Sequence, residues 1–200
     1  YENVNEETPG EGGPFGVTNK SKAVCIPPTF MNLLILILCP PLAIILHKGA
    51  KGFIQREKAN GKYVFIITNQ SGISRGLFCW DDYERVTHRM LELLGAQSHP
   101  TAIYANGFGP NEKHEAWRKP NSGMLLEAAK DFPVDLKTSI LIGDRMTDLQ
   151  SGLNAGLKKV IHLLTGHGLK ERETIEQAIK NQHEWTRSVS IQLANNLEFI

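Results

Sequence analysis

The sequence predicts an α/β protein with a parallel sheet covered by helices on both faces, and three observations lead there. Short apolar runs rich in β-branched residues alternate with stretches of helical periodicity. The spacing of these runs gives right-handed βαβ units. Two of the runs, Val64 to Ile67 and Ser139 to Ile142, break off into polar turns, which is how a strand ends when it faces a ligand.

Composition sets the outer bounds. Two hundred residues, 41% hydrophobic and 22% charged, suit one domain that buries a core. Lys plus Arg number 22 against 21 for Asp plus Glu, so a net charge of +1 gathers neither nucleic acid nor an anionic membrane. Any anion must be bound locally. Cys25, Cys39 and Cys79 are odd in number and lack CxxC spacing, which argues against a disulfide framework or a zinc knuckle. A reducing compartment, the cytoplasm, and a monomer are expected.

Residues 1 to 22 are read as a flexible segment and 23 to 200 as a single domain. The chain opens on Tyr1, as a fragment, a processed product or an incomplete gene reading would. Ala23 to Ile26 is strand-like. Leu33 to Leu46 is apolar but cut by Cys39, Pro40 and Pro41, and its fourteen residues fall short of a membrane span. Buried strand material is the preferred reading over a signal or anchor, because no Lys or Arg lies between Met31 and the run.

From Ala50 the pattern is regular. Ala50, Phe53 and Ile54 lie on one face of a helix that Asn60-Gly61 stops, and Tyr63 to Ile67 follows as a strand. Asp81 or Asp82 caps a helix whose Tyr83, Val86, Thr87, Met90, Leu91 and Leu94 form a core stripe ending at Gly95. Thr101 to Tyr104 is a strand, and Gly107 to Lys119 an irregular loop. Asn121 or Ser122 caps a helix burying Met124, Leu125, Ala128, Ala129 and Phe132. Ser139 to Ile142 is a strand, Thr147 to Ala155 a helix, Lys159 to Leu163 a strand, Glu171 to Lys180 a helix, and Val189 to Ile200 a weakly patterned end.

In such a sheet, ligands bind beyond the carboxyl ends of the strands, where Thr68, the Arg118-Lys119 pair and Asp144 would converge. The Thr68 hydroxyl and the backbone N–H groups of the Asn69-Gln70-Ser71-Gly72 turn are donors suited to phosphoryl oxygens. Lys119 is a compact positive charge for the same group, and Arg118 can fork onto a second anion or hydroxyl. Asp144 offers a carboxylate to a hard divalent cation, although a strand-end aspartate also serves as a plain helix cap. The basic pair alone would equally suit a solvated loop.

The stretches FIITNQSGISRG, WRKPNSGMLLEAAKDF and SILIGDRMTDLQSGLNAG, in this order, resemble the haloacid dehalogenase (HAD) superfamily of phosphatases. Within it they are most similar to the histidinol-phosphate and D,D-heptose 1,7-bisphosphate phosphatase branch, over residues 48 to 168. The resemblance implies a Rossmann-like HAD fold and a magnesium-dependent phosphatase of carbohydrate metabolism. Thr68, Lys119 and Asp144 would be catalytic, with Asp144 holding Mg2+. Asn69, Gln70, Ser71, Arg118 and Arg145 would line a phosphorylated sugar. Heptose bisphosphate is the expected substrate, and histidinol phosphate the alternative.

Two departures stand out. The family carries Asp-x-Asp about forty residues before the second-motif Thr, and its first Asp is the nucleophile. Here no Asp precedes Asp81, and Pro27 and Thr29 occupy the corresponding positions. A catalytically silent phosphate-binding protein, or a reading-frame error upstream of codon 48, is the alternative this raises. Heptose-bisphosphate phosphatases of this type also hold zinc in a Cys and His loop, whereas Gly107 to Trp117 has no Cys and only His114. No zinc is therefore expected.

Overall fold

The computed structural model describes residues 23–26, 46–112 and 115–200. Their strands are β1 (Ala23–Ile26), β2 (Tyr63–Asn69), β3 (Ala102–Asn106), β4 (Ile140–Gly143), β5 (Lys159–Leu163) and β6 (Ser190–Ala194). The helices are α1 (Ala50–Ala59), α2 (Trp80–Leu94), α3 (Gly123–Asp131), α4 (Met146–Asn154) and α5 (Gly168–Lys180). All strand pairings are parallel, in the order β3-β2-β1-β4-β5-β6.

The period of two along β2 separates the core into two layers. Phe65 and Ile67 pack in one cluster with Met124 and Leu125 of α3, Leu149 of α4 and Ile175 of α5. Val64 and Ile66 pack in the other with Phe53 and Ile54 of α1 and Met90 and Leu94 of α2. Helices therefore cover both faces, as expected. Burying a side chain of this size contributes about 1.5–3 kcal/mol, so a central strand apolar on both faces contributes twice over to the core.

The structure corrects several boundaries. Strand β2 continues past Ile67, because Thr68 and Asn69 pair with Ala105 and Asn106 of β3, which itself runs two residues further than expected. Thr68 is thus a strand residue, a place its β-branched side chain suits. Helix α2 starts at Trp80 with Cys79 at the N-cap. Asp82 closes the turn from the third helical position by accepting a hydrogen bond from Cys79 N at 3.0 Å. Neither Asn121 nor Ser122 caps α3 through its side chain, and Asn121 donates instead to Glu115 O at 3.0 Å.

Only Met90 and Leu94 of the α2 stripe are fully buried, because the apolar contacts with the sheet come from the last two turns. A short 3-10 turn, Glu115–Trp117, lies within the loop expected to be irregular. Helix α5 begins at Gly168, three residues before Glu171. The weakly patterned end contains the edge strand β6, whose mixed burial reflects its single neighbour. Helix α4 stops at Asn154, and Gly156 takes the left-handed φ of +84° that turns the chain towards β5. Residues 1 to 22 and the run from Leu33 lie outside the described residues, apart from Leu46, which packs against the α1 and α2 cluster. Among the described residues no helix is long and apolar enough to cross a membrane.

Candidate active site

Strand order reverses at β1, which lies between β2 and β4 with Ile26 opposite Ile66 and Cys25 opposite Leu141. This is the switch point at which open α/β sheets bind ligands. The segments that follow β2 and β4 flank it.

Lys119 is the hub. Its side chain is buried, and Nζ donates to Ile67 O at 2.9 Å, one residue before Thr68. The same Nζ lies 2.6 Å from Asp148 Oδ1. The other oxygen, Asp148 Oδ2, accepts from Asp144 N at 3.2 Å and Arg145 N at 3.1 Å. A chain of contacts thus runs from the end of β2 through Lys119 and Asp148 to the end of β4. The strands bring Thr68, Lys119 and Asp144 to one edge.

Thr68 is buried and its Oγ1 accepts from Gln70 Nε2 at 2.8 Å, while Gln70 N donates to Asn106 O at 2.6 Å. Asp144 is fully buried, and its Oδ2 accepts from His167 N at 2.6 Å. Asn69 clamps the backbone of Lys119: its Oδ1 accepts from Lys119 N at 3.2 Å, and its Nδ2 donates to Lys119 O at 3.1 Å. The Lys119-Pro120 peptide is cis. Asn69 therefore holds the loop carrying Lys119, a task that engages both ends of its amide.

The remaining expected residues lie at the periphery. Ser71 O accepts from Ser74 Oγ at 3.2 Å and Arg75 Nε at 3.1 Å, closing the turn after β2. Arg118 donates to Phe108 O at 3.1 Å. Arg145 is exposed and lies 3.4 Å from Glu171 Oε1, a surface pair worth little in itself.

Asp148, His162, Glu171 and Arg172 were not singled out from sequence. Asp148 had a signal: an acid three residues after the helix N-cap Arg145, the spacing of a capping box. Glu171 accepts from Met146 N at 2.6 Å and so caps the same helix from α5. His162 is fully buried beneath Asp144 and bonds its carbonyl, with Nε2 at 3.2 Å. Burial, reinforced by the charge of Arg172, holds the His162 imidazole below its ordinary pKa against the pull of that hydrogen bond.

Of the two acids here, Asp144 is the one that would offer a carboxylate to a magnesium ion, since Asp148 is committed to Lys119. Mg2+ keeps several waters and takes further oxygens from a phosphate, so one or two carboxylates suffice. Among the described residues no cluster of three or more His, Cys, Asp or Glu forms a metal cage. Positions 27, 29 and 114 lie outside the described residues.

The fold and this edge define a doubly wound α/β protein with a cluster of buried polar side chains at its switch point. The HAD-hydrolase-like family model matches residues 116–190. D-glycero-β-D-manno-heptose-1,7-bisphosphate 7-phosphatase of Mesorhizobium japonicum is 38% identical over 124 residues, 58% of this chain and 57% of that protein. The chain thus spans little more than half the length of that relative. The corresponding enzyme of Helicobacter pylori strain J99 is 34% identical over 145 residues, 70% of this chain and 82% of its own. The crystal structure of D,D-heptose 1,7-bisphosphate phosphatase from B. bronchiseptica, complexed with magnesium and phosphate, superposes with a TM-score of 0.69 at 27% identity. It covers 85% of this chain and 91% of its own. The chain belongs to the HAD superfamily of phosphatases, in the D,D-heptose 1,7-bisphosphate phosphatase branch.

Proposed function

We propose that this chain is built as a magnesium-dependent sugar-phosphate phosphatase. D-glycero-β-D-manno-heptose 1,7-bisphosphate is its preferred substrate and histidinol phosphate the second choice. The observation that carries the reading is the meeting of Thr68, Lys119 and Asp144 at one strand edge, joined through Ile67 O and Asp148.

In this reading the Thr68 hydroxyl, while accepting from Gln70 Nε2, donates its own proton to a phosphoryl oxygen, and Lys119 offsets the charge of the same group. Asp144 holds Mg2+, which when bound neutralises and orients the phosphate. Gln70, Ser71, Arg118 and Arg145 surround the sugar, and Asn69 keeps Lys119 in place. Residues 23 to 200 work as one domain and as a monomer in the cytoplasm, with a small phosphorylated sugar as the partner.

Turnover needs a carboxylate just after β1, where the sequence carries Pro27 and Thr29. That observation favours a second reading of the same site, a silent phosphate-ester binder. The two are separated by titrating heptose bisphosphate and histidinol phosphate with Mg2+, following bound ester and released phosphate together, beside Asp144→Asn. Tighter binding of the heptose ester that is lost in the variant supports the site. Release of phosphate selects the enzyme, and binding without release selects the silent protein. Equal binding by Asp144→Asn would reject both.

A further inference from the structure

Strand β5 reads Lys-Val-Ile-His-Leu, and within its buried part the polar residue is His162, which is wholly buried. Its ring stands between two groups of fixed polarity. On one side, Arg172 Nε lies 2.9 Å from His162 Nδ1. A guanidinium donates and cannot accept, so Nδ1 must carry the lone pair and the proton must sit on Nε2. On the other side, Nε2 lies 3.2 Å from Asp144 O, which can only accept. The ring is thereby held as the neutral Nε2–H tautomer, with its one donor aimed at the backbone of Asp144.

Arg172 is itself anchored. Its NH2 donates to His162 O at 3.3 Å and to Ala194 O at 2.7 Å, so the guanidinium ties α5 to β5 and to the edge strand β6. The carboxylate, amide and carbonyl of Asp144 are each engaged. His167 N holds the carboxylate, Asp148 Oδ2 holds the amide, and His162 holds the carbonyl. Without the last, a buried carbonyl beside the site would lack this partner and the peptide could rotate, carrying the carboxylate with it.

We infer that His162, set in its Nε2–H tautomer by Arg172, is a positioning residue that orients the Asp144 carboxylate for its divalent cation. The inference rests on the proposed role of Asp144, and its test separates the two.

Calorimetric titration of Mg2+ into the full chain, with inorganic phosphate present, is run on wild type, Asp144→Asn, His162→Phe and His162→Gln. Circular dichroism confirms the folded state at the working temperature. Glutamine preserves the polarity of the pair, accepting from Arg172 and donating to Asp144 O, whereas phenylalanine fills the space without either bond. Affinity is expected to fall about tenfold in His162→Phe, the scale of losses when a group that orients a metal ligand is removed, and to recover in His162→Gln. Unchanged affinity in folded His162→Phe, with binding lost in Asp144→Asn, overturns this inference and leaves the role of Asp144 standing. Unchanged affinity in Asp144→Asn removes that role and the inference with it. Should His162→Phe not fold, long-range 15N correlation of the wild-type imidazoles decides: a buried ring protonated on Nδ1 overturns the inference.

Discussion

Lys119 Nζ and Asp148 Oδ1 stand 2.6 Å apart with both side chains almost wholly buried. A buried charge that loses its partner keeps its desolvation cost, and breaking such a pair typically costs about 3–5 kcal/mol. Asp148→Ala also strips the acceptor from Asp144 N and Arg145 N. Its urea midpoint should fall by the corresponding amount. Asp148→Asn should fall less, because an amide oxygen can still accept from those two groups. A midpoint for Asp148→Ala equal to wild type would show that the pair does not hold this edge together.

A second buried acid gives a pH signature. Glu57 closes α1 beside Lys62 and Arg56. Burial raises its pKa, but hydrogen bonds from Lys62 and Arg56, together with their charges, outweigh this and leave it below the ordinary glutamate value. A carboxyl whose folded pKa is depressed contributes stability that is complete above its unfolded pKa and is lost as pH falls through the folded value. The difference in unfolding free energy between wild type and Glu57→Gln should stay level from neutral pH to the ordinary glutamate range, then shrink below it. A difference that grows on acidification would contradict the sign.

These residues differ in how far the sequence disclosed them. The Val64 to Ile67 run was legible because β-branched and aromatic residues seldom gather except in a buried strand. The placement of Thr68, Lys119 and Asp144 near one another was legible because the parallel topology brings the ends of β2 and β4 to the same edge of the sheet. Their partners were harder to see. Asp148 shows only a capping spacing, and the His162–Arg172 contact depends on how α5 sits on β5, a register no periodicity encodes. The α2 stripe misled for a related reason, since a 3.6-residue pattern tells which side is apolar but not how many turns the sheet covers. Strand β6 was obscured because an edge strand alternates weakly.

Zinc offers an independent check on the loop after β3. A closed tetrahedral site needs thiolates and imidazoles, and Gly107 to Trp117 supplies one imidazole, His114, and no Cys. Elemental analysis of the purified full chain should find no stoichiometric zinc. One zinc per chain that disappears in His114→Ala would show that ligands from elsewhere complete a site.

The final prediction concerns turnover and follows from a missing carboxylate. Strand β1 ends at Ile26 and lies between β2 and β4. The sequence continues with Pro27, Pro28 and Thr29, whose side chains can neither attack phosphorus as a carboxylate nor ligate magnesium as one. Thr68, Lys119 and Asp144 would still cradle a phosphate ester, so weak binding with negligible hydrolysis is expected of the chain as written. The double variant Pro27→Asp, Thr29→Asp supplies the acceptor and a second carboxylate. Assayed with Mg2+ and a generic phosphate monoester, it should release phosphate at a rate well above the unaltered chain, and that gain should vanish when Asp144→Asn is added. Hydrolysis by the unaltered chain that depends on Asp144 would instead show that another group accepts the phosphoryl.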